Sequence, residues 1–239
     1  MAKNSKKIFF VTICFLVAIA VVMQLFLPFF YSQRIKTEIE KDWDLANSIE
    51  VQVKAFPFTR LLLGRMDKLS IEGDSMSTGT FQADHWEFVF EGVDMRNNHD
   101  GYSKLNFEDG RGTVWITEET LNTYLKDRSP DWLEPQIKIG KEQLIYTGMW
   151  DIGIILIPFT LKGHPVITEE GNIVLRVDRA SFGDWELPEG ARKIAEGFQI
   201  NFANETEEGK GKQMMGLMMS RIELAEGKMA VRFEKSINH

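Results

Sequence analysis

The side chains able to do chemistry are thinly spread. The four histidines, His85, His99, His164 and His239, are far apart and adjoin turns or a terminus, which suits surface imidazoles better than a catalytic or metal-binding pair. Asp94, Asn97, Asn98 and Asp100 have the composition of a calcium loop. They lack its alternating oxygen ligands and distal glutamate, so the segment reads as a polar loop. Acidic pairs such as Glu118-Glu119 and Glu169-Glu170 are expected in a chain with 35 acids and carry no catalytic message. No nucleophile elbow, phosphate-binding glycine loop, dinucleotide fingerprint or H-E-x-x-H zinc pair occurs. The single cysteine, Cys14, excludes an internal disulfide and a multi-cysteine metal site. The residues predict no enzyme, no metal and no catalytic site.

The informative signal is apolar. Ile152–Phe159 (IGIILIPF) is almost continuously hydrophobic, more than a sheet with one wet face requires. Met214-Met215-Gly216-Leu217-Met218-Met219 is the second such run, and methionine clusters adapt to varied apolar ligands. Ile155, Ile157, Phe159, Met215 and Met219 are therefore the candidate lining of a lipid-binding cavity. The same residues would serve equally in a solid core, because a filled interior and an empty tunnel both need apolar residues inside.

The elements that would hold them are mostly strands. Ile49, Val51, Val53 and Ala55 alternate with Glu50, Gln52 and Lys54, the period of a half-wet strand. Phe56–Gly64 then predicts a helical turn between two strands, since Pro57 cannot donate to a ladder and Gly64 permits a turn. Strand patterns recur at Asp67–Glu72, Gly79–Phe90, Gly110–Trp115, Gln136–Trp150, Ile152–Leu161, Asn172–Phe182 and Ser220–Glu234. Gly227 marks a hairpin in the last of these. Two helices interrupt the strands. Thr117 is an N-cap for Glu118–Lys126, and Pro188 opens a second helix towards Phe198.

Before the first strand lies Ile8–Tyr31, a run without formal charge that would span ~36 Å as a helix, enough for a bilayer core of ~30 Å. Its end at Leu27-Pro28-Phe29-Phe30-Tyr31 offers no small-residue cleavage site, and Ile13 before Cys14 does not suit a lipoprotein. The run is expected to be an uncleaved anchor, with Phe29, Phe30 and Tyr31 as an interfacial belt. Lys3, Lys6 and Lys7 favour a cytoplasmic N-terminus, with the folded part outside the cytoplasm. Residues 32–48 continue as a helix with an Ile35, Ile39, Trp43 stripe. The expected organisation is 1–7 as a short cytoplasmic tail, 8–31 as the anchor, and 32–239 as one extracytoplasmic α+β domain.

Composition bounds the partners. In 239 residues, 44% are hydrophobic and 26% charged, the balance of a folded chain. The net charge is −7, although the only charges in residues 1–31 are lysines. The remainder is more acidic still, which argues against nucleic acid.

Three motifs in order carry a resemblance: Phe56-Pro57-Phe58-x-x-Leu61-Leu62-x-Gly64 followed by Leu69-Ser70-Ile71, then Ile116-Thr117-Glu118-Glu119-Thr120-Leu121, then Ala180-Ser181-Phe182-Gly183 leading to Leu187-Pro188. Together they resemble the LmeA-like phospholipid-binding family over about Ile35–Phe233. The resemblance implies a tubular lipid-binding-like fold, a long curved, mostly antiparallel sheet wrapped around one or two helices, with no cofactor and no catalytic residues. It implies phospholipid as the partner, and lipid handling or transfer in the bacterial cell envelope as the function. A non-enzymatic scaffold or accessory module of an envelope complex is the alternative.

Overall fold

The computed structural model describes residues 2–42, 49–77, 82–96, 105–130, 133–151, 153, 155–168, 173–187 and 213–235. Helix α1 (Ala2–Asp42) leads into β1 (Ile49–Lys54), the short α2 (Thr59–Leu62), β2 (Arg65–Ser77), β3 (Gln82–Asp94) and β4 (Asp109–Thr117). Helix α3 (Glu118–Arg128) follows, then β5 (Gln136–Ile139), β6 (Leu144–Asp151), β7 (Leu156–Ile167), β8 (Ile173–Phe182) and β9 (Trp185–Glu186). The chain closes with β10 (Gln213–Met214), β11 (Leu217–Ala225) and β12 (Lys228–Lys235).

The α+β class, the antiparallel pairing and the long N-terminal helix are as the sequence predicts. The strands divide, however, between a seven-stranded sheet of order β1-β2-β3-β4-β12-β11-β10 and a five-stranded sheet of order β5-β6-β7-β8-β9. The division follows from α3, which takes the chain away after β4 and leaves that edge to β12. The expected strand Gln136–Trp150 is itself a hairpin, because the chain turns at Gly140, whose N–H donates to Gln143 O at 3.0 Å. The expected helix from Pro188, the stripe residue Trp43, and Asn97, Asn98 and Asp100 lie outside the described residues.

Alternation works as predicted in β1, where Ile49, Val51 and Val53 are buried and Glu50, Gln52 and Lys54 exposed. Two cross-strand pairs set the packing of the larger sheet. Phe88 faces Gly112 and Trp86 faces Gly73. A Cβ on Gly112 would fall 2.2 Å from the Phe88 ring, and one on Gly73 would fall 2.7 Å from the Trp86 ring. The glycines leave room for fully buried rings to lie across the neighbouring strand. Gly64, after α2, takes φ +69°, the left-handed conformation that ends a helical turn cheaply only for glycine.

Helices cover one edge of each sheet. On α1, Ser32 Oγ accepts from Val53 N at 3.0 Å, and Gln24 Nε2 donates to Ala55 O at 2.7 Å. Ile35 and Ile39, one turn apart below them, are buried against the sheet. On α3, Thr117 caps the helix by accepting from Thr120 N, as expected. Asn122 Oδ1 accepts from Ile137 N at 2.6 Å, and Glu118 Oε2 accepts from Ile139 N at 2.8 Å. Side chains thus stand where another strand's ladder would be, which protects edges from pairing with foreign chains. Gly227, in the β11–β12 turn, donates to Ile139 O and accepts from Glu118 N, tying the two sheets together.

Among the described residues, one helix is long and apolar enough to cross a membrane, over Lys7–Glu40. At 41 residues, α1 is about 60 Å long, twice the ~30 Å of a bilayer core. Its N-terminal half is exposed, and its C-terminal half is the part packed on β1.

Candidate functional site

The two apolar runs singled out in the sequence sit on elements that meet, since β7 packs against β11. Their residues do not share one environment. Ile155 precedes β7 and is 58% exposed, because the run Ile152–Phe159 contains a turn: Gly153 has φ +82° and donates to Asp151 Oδ1 at 2.7 Å. Ile157 is half-buried and pairs with Trp150, whereas Phe159 is buried and pairs with Gly148. Met215 is buried at the β10–β11 turn, where Met215 (φ +54°) and Gly216 (φ +84°) both have positive φ between the paired Met214 and Leu217. That conformation is the one favoured in two-residue hairpins, and a methionine there is strained. Met219 is half-buried against the main core and pairs with Phe233.

A connected aromatic row passes through Phe159, and composition alone could not reveal it. Tyr146 and Phe159 lie 5.5 Å apart between ring centroids, Phe159 and Phe182 6.2 Å, and Phe182 and Trp150 5.1 Å. Tyr146 and Phe159 are buried, while Phe182 and Trp150 are half-exposed. Register explains the row. Tyr146, Gly148 and Trp150 share one face of β6, and their partners Leu161, Phe159 and Ile157 share the same face of β7. Phe182 continues it on β8, and Trp185, its partner on β9, is 81% exposed. Gly148 supplies the space, since a Cβ there would fall 2.9 Å from Phe159 Cζ.

The row therefore runs from the core to an open end, where Ile155 and Trp185 present apolar surface to solvent. Burial pushes the Tyr146 phenol at the inner end above its ordinary pKa. Exposed apolar surface continuous with a core is what a binding site for an acyl chain requires, and it is costly without an occupant.

The polar candidates are scattered. His85 Nδ1 meets Asp74 Oδ1 at 2.7 Å, and His164 Nδ1 meets Asp178 Oδ2 at 3.1 Å, each on the exterior of its own sheet. Among the described residues no cluster of three histidine, cysteine or carboxylate side chains could hold a metal ion. His99, His239 and Glu169-Glu170 lie outside the described residues.

A family model for LmeA-like phospholipid-binding proteins matches residues 22–234, so the chain belongs to that family. The match begins within the apolar part of α1, two residues before Gln24, where the helix first bonds to the domain. It is a lipid-binding family, not a known enzyme family. Neither the curated proteins nor the solved structures contain a match to this chain. The Ala180–Gly183 motif of the resemblance supplies Phe182, at the open end of the aromatic row.

Proposed function

We propose that this protein is a single-pass, membrane-anchored phospholipid-binding protein that handles or transfers lipid in the bacterial cell envelope. Residues 8–31 are its anchor, residues 1–7 lie in the cytoplasm, and residues 32–239 form the extracytoplasmic domain. One observation carries the reading, the aromatic row Tyr146–Phe159–Phe182–Trp150 leading from a buried end to exposed Ile155 and Trp185. An acyl chain laid along it would cover apolar surface at roughly 25 cal/mol per Å², while its headgroup stayed in water. Ile157 and Phe159 share the row's face of β7, and Met215 and Met219, carried by the β10–β11 hairpin whose β11 meets β7, complete the proposed lining. The length and hydropathy of α1 support the anchor, and the lysines before it support the orientation.

The test is crosslinking of the full chain, reconstituted in phosphatidylglycerol liposomes, to a phospholipid with a photoactivatable acyl chain. Adducts on Trp150, Ile157 or Phe182 support the reading. Adducts confined to residues 8–31 contradict lipid binding by the domain and favour a scaffold. A reporter fused after His239 should be active only outside the cytoplasm, and activity inside would reverse the orientation.

A further inference from the structure

The corner between β1 and β2 exposes three large apolar side chains, Phe56 (75%), Leu62 (59%) and Leu63 (64%). The corner is well held. Phe56 N donates to Asp67 Oδ2 at 2.6 Å, Arg60 pairs with Asp67, and Leu61 is buried beneath. These side chains are outside because the backbone puts them there. The corner is also bound to the helix, since the Gln24 amide donates to Ala55 O at 2.7 Å and accepts from Phe58 N at 2.8 Å.

Gln24 fixes the depth. At 1.5 Å per residue, Lys7 to Gln24 covers ~25 Å, less than the ~30 Å hydrocarbon core. With Lys7 at one surface, Gln24 lies within the far leaflet, flanked by exposed Leu25, Phe26, Phe29 and Phe30. A polar side chain at that depth needs an internal partner, and the corner supplies both an acceptor and a donor. Lys54 and Lys68, paired across β1 and β2 next to the corner, are placed for anionic headgroups.

We infer that the β1–α2 corner is a membrane-insertion element, with Phe56, Leu62 and Leu63 buried among the acyl chains of the leaflet from which α1 emerges. This rests on the reading of α1 as an anchor. It places the domain flat against the bilayer instead of on a free tether.

The test attaches an environment-sensitive fluorophore to single cysteines of the full chain in phosphatidylcholine–phosphatidylglycerol liposomes, with a quencher carried on the lipid acyl chains. Native Cys14 reports the anchor. Phe56→Cys and Leu63→Cys report the corner and Lys141→Cys, in an exposed turn of the smaller sheet, reports water, all three with Cys14→Ser. Leu62→Cys replaces either corner variant that fails to fold. Insertion predicts quenching at the corner comparable with position 14 and several-fold above position 141. Quenching at 14 with water-like behaviour at either corner position overturns the insertion and leaves the anchor standing. No quenching at position 14 overturns the anchor, and the insertion with it.

Discussion

Phe159 lies directly across the β6–β7 ladder from Gly148, and its ring occupies the space that any side chain at 148 would fill. Leu133 O also lies 3.0 Å from the same point, so a side chain at 148 would crowd backbone as well as the ring. Gly148→Val should therefore displace Phe159 from the aromatic row. The expected cost is about 1–3 kcal/mol, from overpacking a filled interior. Chemical denaturation of the full chain measures it, and acyl-chain crosslinking at Trp150 and Phe182 should fall in parallel. An unchanged midpoint would mean that the β6–β7 pairing tolerates a larger side chain than this geometry allows.

Ile157 and Phe159 are two residues apart on one face of β7, yet they stand at opposite ends of a burial gradient. Phe159→Glu places an unpaired carboxylate in the core and should cost about 3–5 kcal/mol, enough to unfold most domains. Ile157→Glu and Met219→Glu, both half-buried, should leave the circular dichroism spectrum intact while abolishing lipid crosslinking. Unfolding in all three variants would identify a solid core. Folded proteins that still bind lipid normally would move the site elsewhere.

Ser32 is buried, and its hydroxyl accepts from Val53 N at 3.0 Å on the outer edge of β1. Ser32→Ala should cost about 1–3 kcal/mol, because it leaves an edge amide buried without a partner. Amide exchange at Val53 should accelerate in the variant. Exchange at the native rate would show that water reaches this edge.

Asp94 accepts from both the side chain and the backbone N–H of Arg96, with Arg65 3.6 Å away, and these contacts hold its carboxyl well below the usual carboxylate range. A carboxylate lowered on folding contributes stability that is complete above its unfolded pKa of about 3.9 and is lost as pH falls through the folded value. Asp94→Asn should lower the denaturation midpoint at neutral pH. The gap from the native protein should close progressively below about pH 4. A gap that widens on acidification would contradict the assignment.

Legibility in the sequence depended on how far a signal reaches along the chain. The β1 alternation, the Thr117 cap and the turn at Gly64 involve neighbours a few residues apart, and each was visible as local pattern. The hairpin within Gln136–Trp150 was not, because its turn, Gly140-Lys141-Glu142-Gln143, lacks the Asn-Gly or Asp-Gly signature of a tight reversal. Phe88 with Gly112, or Phe159 with Gly148, are meaningful only once register is known, since a one-residue slip would separate each pair. The same holds for Gln24. In sequence it is a polar interruption of an apolar run, and its role appears only when Ala55 and Phe58 arrive beside it. The candidate lining residues separate for the same reason. Phe159 and Ile157 lie on the row, but Ile155 was read as strand where Gly153 makes a turn.

On the proposed reading, helix α1 is membrane tether as well as structural cover for β1, and this makes retention and solubility a single property. A protease that cut just after Gln24 would remove its bonds to Ala55 and Phe58 along with the anchor. A cut beyond Ser32 would bare the β1 ladder. The shed domain would then carry an open strand able to recruit another copy, so its release would end in self-association instead of a diffusing lipid carrier. A lipid carrier built on this fold would therefore work without leaving its membrane, passing lipid only to a surface brought up to a domain that stays seated on the bilayer.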